Sequence, residues 1–163
     1  MLFTASSAGT LSHNTTSWAV KLSQAVIVDA WAEANCDFQS NNWLSIYAKW
    51  EARHQDFFNG GPGSVRVVLA SSATSVEPID NSFYVAGGFR GLDKDQLGEV
   101  TVWRDFIISE ESYNGPTFRP GRCFIRAYDL MASTTYYLNV CLKASGASAD
   151  DCELQNFIAK GHC

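Results

Sequence analysis

The stretch FRPGRCFIRAYDLMASTTYYLNVCLKASG, Phe118 to Gly146, decides the fold class. Tyr136, Leu138, Val140 and Leu142 alternate with Tyr137, Asn139, Cys141 and Lys143. A period of two makes a strand with one apolar and one mixed face, so the first set is expected in a core and Tyr137 and Asn139 on the other side. Arg119-Pro120-Gly121-Arg122 supplies a turn just before the preceding strand. The reading is a pair of strands joined by a short connection, as in a β-sandwich or barrel.

Working outward, the same logic extends over most of the chain. Residues 1–17, rich in Ser, Thr and Ala, read as an extended arm or an edge strand. Trp18 to Ala34 alternates through Trp18, Val20 and Leu22 and continues β-branched at Val26-Ile27-Val28, giving a long interrupted strand. Trp43 to Phe58 fits both periods; Leu44, Ile46, Ala48, Trp50 and Ala52 favour a strand. Asn59-Gly60-Gly61-Pro62-Gly63 is a strong turn, and Val65, Val67 and Leu69 alternate after it, so an antiparallel pair is expected around the glycines. Ser71–Asn81 reads as a loop, Phe83-Tyr84-Val85 as a short strand, Leu92–Leu97 as one helical turn, and Val100–Ile108 as a further strand. The tail differs. Leu154, Phe157 and Ile158 recur at i, i+3 and i+4 after Asp150-Asp151 and before Gly161, which predicts a short amphipathic helix within a tail of residues 147–163. The three side chains would form one apolar face docking against the same chain or a neighbouring copy, and are the candidate assembly residues.

Length and composition agree with one domain spanning residues 1–163. The chain has 163 residues, 46% of them hydrophobic and 18% charged, enough apolar content for a core and too much for disorder. No apolar run is long enough for a membrane-spanning helix, and the start MLFTASSAGT lacks the basic and apolar regions of a signal peptide. Membrane insertion is therefore not expected. Twelve Lys and Arg against seventeen Asp and Glu give a net charge of −5, which argues against a generic nucleic-acid binder. Arg104, Arg119, Arg122 and Arg126 do fall close together, a candidate basic patch for weak nucleic-acid contact.

Chemistry is harder to find. His13, His54 and His162 show no metal-ligand spacing, and GxSxG and phosphate-loop motifs are absent, so no catalytic residue, metal or cofactor is expected. The acidic cluster Glu77-Pro78-Ile79-Asp80-Asn81 is the first place to look for a cation, although loop solvation is the better account of it. The five cysteines form no CxxC pair and read as reduced, partly buried thiols, with Cys152 and Cys163 close enough in sequence to close a loop if oxidised. Asn14-Thr15-Thr16 fits the glycosylation pattern, relevant only in a secretory compartment. Of the five tryptophans most belong in a core; Trp43, after Asn41-Asn42, is the candidate for exposure and ligand contact.

Two resemblances follow from particular residues. Leu130-Met131-Ala132-Ser133-Thr134-Thr135-Tyr136-Tyr137-Leu138-Asn139-Val140 is similar to the strand-entry, tyrosine-corner pattern of fibronectin type III domains, with Ala132 where that family usually has Pro. It implies a sandwich corner. Trp43-Leu44-Ser45, the glycine-rich turn, Ser64–Ala70 and Phe89–Leu97 resemble the single jelly-roll coat proteins of small icosahedral viruses, over roughly residues 18–146. This second resemblance implies an all-β, two-sheet antiparallel sandwich of jelly-roll type and a non-enzymatic, self-assembling shell protein of the virion or host cytoplasm. The basic arm usual in that family is missing here. The alternative is an extracellular recognition module, lectin- or adhesin-like, using Trp43 and neighbouring loops.

Overall fold

The structure, a computed structural model, describes residues 3–29, 44–55, 63–80, 82–86, 106–107, 117–127, 130–144 and 151–162. All regular structure among these residues is β: β1 Phe3–Ser6, β2 Leu11–His13, β3 Ala19–Val28, β4 Leu44–Gln55, β5 Ser64–Ala70, β6 Ser82–Ala86, β7 Phe106–Ile107, β8 Arg119–Ala127, β9 Thr134–Lys143 and β10 Asp151–His162. They form two antiparallel sheets. The first has the order β1-β10-β4-β8-β6 with β2 also on β10, and the second β3-β9-β5-β7.

Partners are nested. Phe3 pairs with Gly161, Val20 with Cys141, Leu44 with Ala127 and Val65 with Phe106, so the first half of the chain is matched, from the outside inward, by the second half. From β2 onward every successive strand lies in the opposite sheet to its predecessor.

That alternation corrects two expectations. β4 and β5 do not pair around the glycine-rich segment, and β8 and β9 do not pair across residues 128–133; each couple is split between sheets. Turn residues suggest a chain reversal but not which strand is met after it, and Arg119-Pro120-Gly121-Arg122 are the first residues of β8 itself, paired with β4, not a turn before it. β5, buried at all seven positions, takes β9 and β7 as neighbours instead. At the β8–β9 connection the Tyr136 hydroxyl accepts the Met131 N–H at 2.9 Å, the kind of bond a tyrosine-corner pattern implies. Ser133, at φ 52°, turns the chain there.

The core lies between the sheets. Leu44, Ile46, Ala48, Trp50 and Ala52 of β4 face Val65, Val67 and Leu69 of β5 and Tyr136, Leu138, Val140 and Leu142 of β9, all buried, the last four as their alternation predicts. The second sheet's outer face is also covered. Asn139, fully buried, accepts the Ser23 hydroxyl at 2.6 Å and donates to the carbonyls of Ser72 and Ser75, at 2.9 and 2.8 Å. Arg66 bonds the Val76 carbonyl at 3.1 Å, pairs with Glu77 at 3.4 Å and stacks on Trp18 at 4.2 Å. Residues 71–80 are thus drawn over that face, and the Glu77 carboxylate meets an arginine there. Among the described residues no group of three or more His, Cys, Asp or Glu could hold a metal ion.

The tail is corrected most sharply. Residues 151–162 are strand β10, an inner strand of the first sheet between β1 and β4, and not a helix. Cys152 and Leu154, then Phe157, Ala159 and Gly161, point into the molecule. The step from 154 to 157 is a β-bulge: Gln155 pairs with Glu51 and Ile158 with Lys49, so Asn156 and Phe157 oppose Trp50 alone. One extra residue turns a spacing of two into three, and i, i+3 then imitates a helix. Asn156 takes the left-handed φ of 55° that the bulge needs, a conformation Asn tolerates. Ser7 satisfies the displaced backbone, its hydroxyl accepting the Phe157 N–H and its own N–H donating to the Phe157 carbonyl, both at 3.1 Å.

Candidate binding face

On β4 the residues between the core positions are Ser45, Tyr47, Lys49, Glu51 and Arg53, and strand alternation sends them outward. Arg122, Phe124 and Arg126 of β8 flank them on one side, Ile158 and Lys160 of β10 on the other. Cross-strand register arranges rows. Lys160, Tyr47 and Phe124 make one; Ile158, Lys49 and Arg122 the next; Gln155, Glu51 and Pro120 a third. Neighbouring strands lie roughly 4.8 Å apart and same-face residues roughly 6.7 Å apart along a strand, so the three rows form a compact field.

Tyr47, Phe124 and Ile158 are exposed, at 44%, 38% and 42%. Of the five exposed large hydrophobic side chains among the described residues, these three share one face, while Ile27 lies on β3 and Met131 in the β8–β9 connection. Lys49, Arg122, Arg126 and Lys160 are exposed beside them, and the Arg126 guanidinium lies 5.3 Å from the Phe124 ring centroid. Among the described residues no carboxylate forms an ion pair with any of these four cations. Glu51 instead accepts the Gln155 amide at 2.8 Å and the Asn156 amide at 3.2 Å. Arg53 is held at the end of the field by Glu153, at 3.0 Å, and by the Phe118 ring. Lys49 and Arg122 stand directly opposite each other, an arrangement of like charges that costs a sheet stability.

A cavity of about 560 Å³ opens on this face between Tyr47, Lys49, Pro120, Arg122 and Ile158, with Trp50 in its lining. Trp50 belongs to the core, stacked on Phe157 with ring centroids 6.4 Å apart. It reaches the cavity because Gly121, its cross-strand neighbour, has no side chain; a Cβ there would run into the indole. The bulge on β10 and the glycine on β8 together open the hollow, whose size falls within the range of small-ligand sites.

Of the arginines singled out from sequence, Arg122 and Arg126 lie on this face. Arg119 begins β8 opposite Ala52, its side chain outside the described residues, as are Trp43 and Arg104. The expected helical face is divided: Leu154 and Phe157 are buried between the sheets and Ile158 is on the outer face of the first sheet. Tyr47, Lys49, Phe124 and Lys160 were not singled out. The signal for the first two was present, since reading β4 as a strand already assigns its odd-numbered positions to one surface.

The buried cysteines have little nucleophilic character. Burial raises the Cys123 thiol, and pushes Cys141 and Cys152 up to about 12. All three are free thiols; Cys36 and Cys163 lie outside the described residues. Comparison with family models, curated proteins and solved structures finds no match for this chain.

Proposed function

We propose that this protein is a non-enzymatic, self-assembling shell component, a viral coat protein built on a single jelly roll. The observation that carries the reading is strand order. With β1 and β2 counted as one interrupted strand and β6 set aside as an addition at the sheet edge, eight strands remain among the described residues. In chain order they make sheets 1-8-3-6 and 2-7-4-5, paired from the outside inward. This is the order expected of a long antiparallel ribbon rolled into two sheets, the jelly-roll plan that viral capsid and lectin domains use. The fold alone does not choose among its users. The resemblance of Trp43–Ser45, Ser64–Ala70 and Phe89–Leu97 to small coat proteins favours the shell.

A recognition module is the second reading, favoured by the cavity beside Tyr47. The two differ in solution size. Sedimentation velocity of the purified full chain supports the shell reading if large, discrete particles form. A monomer over the whole accessible concentration range, under varied salt and pH, refutes it.

A further inference from the structure

We propose that the outer face of β4, β8 and β10 binds single-stranded nucleic acid. Phosphates would lie on Lys49, Arg122, Arg126 and Lys160, and bases on Tyr47 and in the hollow lined by Trp50 and Ile158. The inference extends the shell reading without resting on it.

Three observations converge. The first is charge: an acidic chain of net −5 gathers four exposed cations on one sheet face, with no ion-paired carboxylate among the described residues. Lys49 faces Arg122 directly, a repulsion that an anion between them would relieve. The second is the interleaving of rings with charges. Tyr47 has Lys160 on one flank and Phe124 on the other, with Lys49 and Arg122 in the next row. Aromatic platforms inside a cationic field suit a strand whose bases are unstacked and whose phosphates repeat alongside; a duplex hides its bases. The third is the hollow itself, about 560 Å³, with apolar walls at Ile158, Pro120 and Tyr47 and the amide and carboxylate of Asn156 and Glu51 at its rim. Such a mixed lining fits a heterocyclic base, with its flat apolar faces and polar edges.

The alternative occupant, an acidic glycan, would use the same cations but would depend less on stacking and on access to unpaired bases. The test is fluorescence anisotropy of a labelled oligothymidylate with full-length protein, titrated over a range of salt. Sedimentation first establishes that the subunits are dissociated, so that the face is accessible. The expected result is saturable binding whose logarithmic salt slope is about −3, from four phosphate contacts at roughly 0.7 each. The double variant Lys49→Gln with Arg122→Gln flattens that slope by about 1.4. Tyr47→Ala weakens binding by about tenfold at fixed salt and leaves the slope unchanged, because it removes stacking and no charge. A duplex of equal length competes poorly. Urea unfolding of each variant confirms that these exposed substitutions leave the fold intact.

No binding at low salt overturns the proposal. So does a slope that ignores the double variant, a duplex that competes as well as the single strand, or a sulfated oligosaccharide that binds more tightly with no sensitivity to Tyr47→Ala. A chain that binds the oligonucleotide yet never assembles refutes the shell reading alone. Particles whose dissociated subunits ignore the oligonucleotide refute this proposal alone.

Discussion

Replacing Phe157 and Ile158 separately by alanine distinguishes the bulged strand from an amphipathic tail. Phe157 is 1% exposed and stacks on Trp50 at 6.4 Å between centroids; Ile158, its neighbour, is 42% exposed on the opposite side. Truncating a buried Phe costs about 3 to 5 kcal/mol, from lost transfer energy and the cavity left behind. Truncating the half-exposed Ile158 should cost less than about 1 kcal/mol. For a domain of marginal stability the first figure is a large part of the total. With a urea dependence of about 2 kcal/mol per molar, Phe157→Ala lowers the unfolding midpoint by roughly 1.5 to 2.5 M, and Ile158→Ala by less than about 0.5 M. The assay is equilibrium urea unfolding followed by far-UV circular dichroism and tryptophan fluorescence. On a docked helix with Leu154, Phe157 and Ile158 on one face, both substitutions would hurt alike. Costs equal to within about 0.5 kcal/mol, or truncation of residues 147–163 that leaves the sandwich fully stable, would refute the placement of β10 in the core.

Other outcomes follow from neighbouring contacts. Asn156→Val, which puts a β-branched residue at φ 55°, should destabilise by about 1 to 3 kcal/mol, while Asn156→Gly stays close to wild type; the same urea titration reads both. Gly121→Ala forces a Cβ against the Trp50 indole and should cost about 1 to 3 kcal/mol, with a change in near-UV circular dichroism reporting the moved ring. The buried thiols should resist a thiol reagent at pH 8 in the native protein and react once it is unfolded. Their pH dependence has a definite sign. Unfolded thiols lose protons near the ordinary 9.0, whereas Cys141 and Cys152 in the fold hold theirs to about 12. Their contribution to stability is full below pH 9 and falls as pH rises from there toward 12, which urea titrations at stepped alkaline pH would show.

Much of this fold is legible in the sequence wherever one face of a strand is buried and the other is not. The alternation in β4 and β9 is of that kind, and the core residues read from it are the ones found between the sheets. Pairing is less legible. The glycines after β4 announce a reversal, but a strand's partners are chosen by the long-range nesting that sets Leu44 against Ala127 and Val65 against Leu142. β10 misleads because its single inserted residue changes the local period, and only the register opposite Trp50 reveals it. Asn139 reads only as a polar residue of the strand's mixed face; that it is buried there depends on Ser72 and Ser75, more than sixty residues away. The candidate face is half legible. Arg122 and Arg126 stood out as neighbours in sequence, whereas Lys49 and Lys160 join them only through cross-strand register.

The most direct test of the shell reading is cryo-electron microscopy of the purified full-length chain under conditions that favour association. Closed, symmetric shells of uniform size are expected, with each subunit's two sheets of order β1-β10-β4-β8 and β3-β9-β5-β7 forming the wall. A field of isolated monomers, or only open irregular aggregates, at every salt and pH tried would contradict it.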